Sequence, residues 1–173
     1  RSPYLALTCV YIGVIAIIAT FSYFTRARVI EATMSGLTNR TVIFARIDTA
    51  TQVLTLVTQL FLTGRIIKRL GVGAALAILP VFSIVGFAAM ALWPTLLVVA
   101  SFDVLYSAGR HAIARPARET LFTVLSRRDK YKAKNFLDTF VYRGGDVVGA
   151  LTERAIAALG LGVAGVTLAA VPI

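Results

Sequence analysis

Apolar residues run along this chain in long blocks rather than in alternation. Five blocks stand out, at positions 4–24, 44–67, 74–93, 95–113 and 135–159, and a sixth opens at 161. Each of the five is close to the roughly 20 residues that an α-helix needs to cross a hydrocarbon core of about 30 Å. Barrel strands are about half that length, and backbone facing lipid must satisfy its own hydrogen bonds. The pattern therefore predicts an all-α, polytopic membrane bundle. The block at 4–24 is longer than the apolar region of a signal peptide and no small-residue cleavage site follows it, so it reads as a retained span. The last block, 161–173, is too short to cross, and the chain opens on Arg1 without a Met. Both features read as a fragment of a longer protein.

Composition strengthens the membrane reading. Hydrophobic residues make up 58% of the 173 and mean hydropathy is +0.81, against roughly 45–50% apolar residues in soluble domains. Eighteen Lys and Arg against eight Asp and Glu leave a net charge of +10, and position explains most of it. Arg65, Lys68 and Arg69 follow the second block, and a basic loop at 114–134 carries Arg115, Arg118, Arg127, Arg128, Lys130, Lys132 and Lys134. Basic short loops stay cytoplasmic, whereas the uncharged Trp93-Pro94 turn suits the opposite face. The N-terminus is then inside, against a milder opposing signal from Arg26, Arg28 and Arg40 at 25–43. Topology, anionic lipid headgroups or an anionic substrate account for the charge without nucleic acid. A single cysteine, Cys9, and a single histidine, His111, offer no disulfide framework and no metal site.

Ionisable residues inside the apolar blocks carry more information. Arg46 and Asp48 lie in the second, Asp103, Arg110 and His111 in the fourth, and Asp138, Arg143 and Asp146 in the fifth. A charge near mid-membrane costs about 2.5–3.5 kcal/mol on insertion scales, so such groups must pair or line a wet cavity. Helical spacing predicts Arg143 beside Asp146, Asp103 on one stripe with Ser107 and Arg110, and Asp48 on one stripe with Gln52 and Gln59. These groups either fix helix register as internal pairs or contact a substrate. The third and sixth blocks carry no charge while the second and fifth do, which reads as an inverted 3+3 repeat with the site at the repeat interface. Gly145 and Gly149 give the fifth block a GxxxG spacing, most simply for close packing. No phosphate-loop motif and no Ser/His/Asp constellation is present, so neither an ATP-driven pump nor an enzyme is expected, and no cofactor.

Two stretches carry a resemblance. Gly64-Arg65-Ile66-Ile67-Lys68-Arg69-Leu70-Gly71 resembles the Gly/basic signature that the major facilitator superfamily places after the second helix of each half. The string from Arg115-Pro116-Ala117-Arg118-Glu119 through Asp129-Lys130-Tyr131-Lys132 to Asp138-Thr139-Phe140-Val141-Tyr142-Arg143-Gly144-Gly145-Asp146 is similar to the nucleotide translocase family of ATP/ADP antiporters. The likeness extends over essentially the whole chain, as the C-terminal six-helix half of such a carrier. It implies a multi-pass protein of a bacterial inner membrane that exchanges a nucleotide or related phosphorylated anion by alternating access, completed by a missing N-terminal half. Substrate contacts are then expected at Arg46, Asp48, Arg110, Lys134, Asp138, Arg143 and Asp146, and gate pairs at Arg65, Arg69, Arg118 and Glu119. Two competing readings are a proton-coupled permease working through Asp48, Asp103 or Asp138, and a membrane scaffold without transport.

Overall fold

A computed structural model of the chain describes residues 3–124 and 127–158. The sixth predicted segment, 161–173, lies outside the described residues. Among these residues the fold is all helix, without strands. Helix α1 spans Pro3–Thr33, α2 Leu37–Phe61, α3 Thr63–Leu92 and α4 Leu96–Gly109. A π-helical turn, Arg110–Ala114, joins α4 to α5 at Arg115–Leu121. Helix α6 covers Arg127–Phe136, a second π-helical turn covers Leu137–Val141, and α7 runs over Tyr142–Ala158.

The stretches expected as loops are mostly helical. Between Gly13 and Gly36 no Gly or Pro interrupts the chain, so α1 continues nine residues beyond its apolar block. It stops before Gly36, whose φ of 88° is left-handed and open to glycine. Arg40 then caps the free carbonyls at the end of α1: its Nε donates to Met34 O (3.0 Å) and its Nη2 to Glu31 O (3.1 Å). The predicted basic loop at 114–134 is likewise built from α5, a 3₁₀ turn at Phe122–Val124 and α6. Arg65, Lys68 and Arg69 sit on a short opening helix of α3, set off from the remainder at Gly71, where φ is 80°.

Among the described residues three helical stretches have the length and composition to cross a membrane: Leu5–Thr33, Thr63–Leu92 and Leu96–Leu121. Helix α2 is 25 residues long but is interrupted by Arg40, Arg46 and Asp48 together with several Thr and Gln. Asp48, Thr51 and Gln52 line an interior cavity, whereas Arg46 does not.

The core lies between α1, α3 and α4. Ile15, Ile18 and Phe21 of α1 meet Leu79, Phe87 and Met90 of α3 and Phe102 and Tyr106 of α4. The Phe102 ring stacks on Phe82 and Tyr106, with centroids 5.6 and 5.5 Å apart. Inside α3, Pro80 has no N–H for the carbonyl of Leu76 one turn back. The Tyr11 hydroxyl of α1 donates to that carbonyl at 3.0 Å, so a polar gap in one span is closed by a neighbouring span.

Helices α1 and α7 approach through small residues, as the GxxxG spacing predicts. Gly145 and Gly149 are buried against Gly13, Ala16 and Thr20. A Cβ placed on Gly145 would stand 2.6 Å from the Ala16 Cβ, and one on Gly149 2.9 Å from the Thr20 Cβ. Lipid tails are as apolar as any side chain, so association inside a bilayer depends on this kind of close backbone approach.

Candidate functional site

The polar interior starts from α1. Ser22 and Arg26 lie four residues apart on one face, and both hold Asp103 of α4: Ser22 Oγ donates to Oδ1 at 2.8 Å and Arg26 Nη1 to Oδ2 at 2.8 Å. The same Nη1 reaches Asp48 Oδ1 of α2 at 2.9 Å. Arg26 and Asp103 are only 7% and 5% exposed, whereas the Asp48 side chain is 61% exposed. One guanidinium thus ties three helices together, with the rings of Tyr23 and Phe44 beside it at 5.5 and 4.8 Å. Nearer the end of α1, Arg28 pairs with the buried Glu153 of α7.

Two cavities open into this interior. The first, about 330 Å³, is lined by Tyr11, Arg110, Arg115, Arg118, Lys134 and Asp138 among others. The second, about 470 Å³, is lined by Thr20, Tyr23, Arg26, Asp48, Gln52 and Asp146 among others. Arg110 and His111 line both and stand at the junction. No cavity-lining residue of either comes from α3, in keeping with a charge-free supporting role for its 72–92 portion.

The π-helical turns place these residues. Such turns widen a helix by one residue and recur at functional sites. The first leaves the carbonyls of His111 and Ala112 reachable from outside the helix, and α2 and α3 supply donors: Gln59 Nε2 to His111 O at 3.3 Å and Thr63 Oγ1 to Ala112 O at 2.7 Å. His111 Nδ1 lies 2.8 Å from Ser107 O, an arrangement that makes Nδ1 the protonated nitrogen and leaves Nε2 as an acceptor. The Nε atoms of Arg110 and Arg118 are buried and, among the described residues, without a hydrogen-bond partner.

At the basic mouth of the first cavity two ion pairs bridge α5 to the stretch leading into α7. Lys134 Nζ reaches both oxygens of Glu119 at 3.0 Å, and Arg118 Nη2 lies 3.8 Å from Asp138 Oδ1. Arg118 and Glu119, expected at a gate, are therefore joined to Asp138 and Lys134, expected at the substrate.

Of the predicted binding residues, Asp48, Arg110, Lys134, Asp138 and Asp146 line the cavities. Arg46 and Arg143 line neither. Arg46 is exposed on the outer side of α2 among Val42, Ala45 and Val53. Arg143 is exposed and, among the described residues, pairs with no carboxylate. Its predicted partner Asp146 accepts instead from Thr20 Oγ1 at 3.2 Å, and Asp103, Ser107 and Arg110 line the second cavity together as the predicted stripe, while Asp103 pairs with Arg26 and not with Arg110. Arg65 and Arg69 are exposed and unpaired among the described residues.

Sequence reasoning misses Arg26 and Glu153. Arg26 falls after the apolar block, in a stretch that hydropathy assigns to a loop, although Ile15, Ala19, Ser22 and Arg26 form one helical stripe. Glu153 continues the stripe of Asp146 and Gly149 on α7, at spacings of three and four. Among the described residues no group of three or more His, Cys, Asp or Glu is placed to hold a metal ion.

Fold and site together define, among the described residues, an all-helical protein with three helices long and apolar enough to cross a membrane and with a charged interior. Comparison with family models, curated proteins and solved structures finds no match to this chain.

Proposed function

We propose that this chain is the C-terminal six-helix half of a major-facilitator-type secondary transporter, and that the carrier exchanges a nucleotide or a related phosphorylated anion by alternating access. The observation that carries this reading is Arg110. Its guanidinium stands at the junction of two polar cavities inside a bundle of apolar helices, with a buried Nε that has no hydrogen-bond partner among the described residues. A guanidinium that lines both cavities offers charge-assisted hydrogen bonds of about 1.5–3 kcal/mol to an anion that enters them. Arg118, Arg115 and Lys134 line the same cavity and extend the positive surface toward its mouth. Arginine forks suit phosphate oxygens bidentately, and lysine adds a point charge. Nothing in such a cycle requires hydrolysis: the carrier exchanges internal ion pairs for substrate contacts as it changes state.

The test is uptake of labelled ATP into liposomes that carry the full-length protein and are loaded with ADP, compared with ADP-free liposomes. Uptake that depends on internal ADP supports exchange. Equal uptake with and without internal ADP, or none from folded protein, counts against it.

A second reading, a proton-coupled permease for a non-nucleotide solute, is favoured by the cluster of Arg26 with Asp48 and Asp103, where two carboxylates share one guanidinium. It predicts acidification of the receiving compartment during uptake, abolished by Asp103→Asn.

A further inference from the structure

The outer side of α2 holds a cation that the interior of the bundle does not use. Arg46 is exposed and, among the described residues, pairs with no carboxylate. Asp48, two residues on, lines an interior cavity instead, since positions i and i+2 do not share a helix face. An arginine facing hydrocarbon is costly unless its head reaches phosphate or water at the membrane boundary. Two apolar grooves meet at this residue. One, of about 710 Å³, runs along α2 from Val42 to Val57. The other, of about 460 Å³, lies between α2 and α4 and is bounded on α4 by Ala100, Ser101, Val104 and Leu105. Arg46 and Ala50 line both grooves, and among the described residues Arg46 is the only charged group in either. We infer that the paired grooves seat one diacyl anionic phospholipid, with its phosphate on Arg46 and one acyl chain in each groove. This site lies outside the two interior cavities and does not depend on what the protein transports.

Depth fits a headgroup. Ala100 and Ser101, which share the second groove with Arg46, lie four and five residues beyond Leu96, the first residue of α4, so about 6–8 Å from that helix end. The end is marked by the Trp93-Pro94 turn between two stretches long and apolar enough to span, with Trp93 63% exposed, the position aromatic residues take at a membrane boundary. An arginine one to two turns inside that boundary reaches it by extending its side chain. Ser101, exposed on the same groove, adds a hydroxyl that can donate to a phosphate or glycerol-ester oxygen.

The grooves then run inward together. Helices α2 and α4 are parallel, since Asp48 stands level with Asp103 at Arg26 and Gln59 further along reaches His111. Val53, Leu54 and Val57 lie seven to eleven residues past Arg46, about 10–16 Å deeper, and Val104 and Leu105 lie beyond Ser101 on α4. Thr49 spends its hydroxyl on Ala45 O at 2.7 Å, so it makes no polar demand on an acyl chain. A protein helix is a single rod and would have to bring a carboxylate to Arg46. A head with two tails matches one cation at the meeting of two grooves.

The experiment is native mass spectrometry of the full-length protein, stripped of lipid in detergent and titrated with dioleoyl phosphatidylglycerol, dioleoyl phosphatidylcholine, single-chain lysophosphatidylglycerol or inorganic phosphate. Phosphatidylglycerol is expected to bind about fivefold more tightly than phosphatidylcholine, the factor that one arginine adds at an anionic lipid surface. Lysophosphatidylglycerol should bind about tenfold or more weakly than its diacyl counterpart, because each buried methylene adds to anchoring. Arg46→Gln should bring the two diacyl lipids to within about twofold of each other, and Arg46→Lys should keep most of the preference. Ala50→Phe fills the junction of the grooves from an exposed position and should lower binding of both diacyl lipids by a common factor. Unchanged thermal unfolding in detergent establishes that each variant is folded. A headgroup preference that survives Arg46→Gln overturns the inference. Lysophosphatidylglycerol bound as tightly as the diacyl lipid overturns the two-groove seat, and displacement of phosphatidylglycerol by inorganic phosphate marks a free-anion site in its place. Absence of bound lipid from the unmodified protein also overturns the inference and assigns this face to another protein segment, with the transport reading untouched.

Discussion

Arg26 shows how one side chain can organise the interior of a helical bundle. It bonds two carboxylates whose surroundings differ: Asp103 is 5% exposed, and the Asp48 side chain is 61% exposed. Removing one partner of a buried pair leaves an uncompensated charge, at a cost of about 3–5 kcal/mol, whereas an exposed pair contributes about 0–1 kcal/mol. Asp103→Ala should therefore destabilise the full-length protein by about 3–5 kcal/mol in denaturant unfolding, and Asp48→Ala by no more than about 1 kcal/mol. Equal effects would mean that Arg26 does not discriminate between them. Placement makes a second contrast. Arg110 stands at the cavity junction, and Arg143 is exposed outside both cavities. Arg110→Gln should reduce anion uptake at least about tenfold, since a charged hydrogen bond contributes about 1.5–3 kcal/mol, while Arg143→Gln should leave uptake nearly unchanged. The sequence makes both arginines equal candidates, because each lies in an apolar block near an acid. Orientation separates them. Arg143 precedes Asp146, the weaker order for a helical ion pair, and Asp146 is turned toward Thr20.

At the scale of elements, apolar blocks locate helices well and mark their ends poorly. Helix α1 overruns its block because a helix ends where backbone geometry stops it, here before Gly36, and not where hydropathy falls. Arg26 and Arg28 become helical residues in consequence, and the stripe that carries Ser22 to Asp103 becomes visible only once the helix is continued. The π-helical turns at Arg110–Ala114 and Leu137–Val141 are also beyond reach of a 3.6-residue period, since each inserts a residue and rotates the next helical segment by about 100°. The α1–α7 contact is legible, because GxxxG needs only sequence spacing. It predicts a sharp contrast between adjacent glycines. An added methyl at Gly145 meets Ala16 at 2.6 Å and the Gly13 carbonyl oxygen at 3.0 Å, and one at Gly144 meets nothing within 4 Å. Gly145→Ala should destabilise the protein by about 1–3 kcal/mol through overpacking, and Gly144→Ala by less than about 0.5 kcal/mol, as read from thermal unfolding in detergent. Comparable losses at both positions would show that α7 packs on another face.

Across the whole molecule, charges are sorted along the bundle axis. The first cavity is bounded by Lys134 with Glu119 and Arg118 with Asp138, the second by the Arg26 cluster, and Arg28 with Glu153 lies toward the same end of α1 as Arg26. The basic signature at 114–134 announces the first group by its charge, although hydropathy alone makes it a loop. The second stays hidden in the sequence because its central cation falls outside the apolar block. Under the exchange reading, Glu119 and Asp138 have two effects on an incoming phosphate: they occupy the cations that would bind it, and they repel it. A like charge about 8 Å away contributes on the order of 2 kcal/mol at an effective dielectric near 20, and partial exposure of both acids reduces that. Replacing both, as Glu119→Gln with Asp138→Asn, should tighten binding of a nucleotide by about five- to tenfold at low salt, and the gain should shrink at about 1 M salt, where screening acts within roughly 3 Å. Turnover should fall at the same time, because a carrier that holds its substrate more tightly releases it more slowly. Equilibrium binding and exchange rate measured on the same variant at two salt concentrations decide the matter. Tighter binding with slower exchange places the two acids in release of the anion, whereas unchanged binding with unchanged salt dependence confines these ion pairs to holding α5 against the stretch that leads into α7.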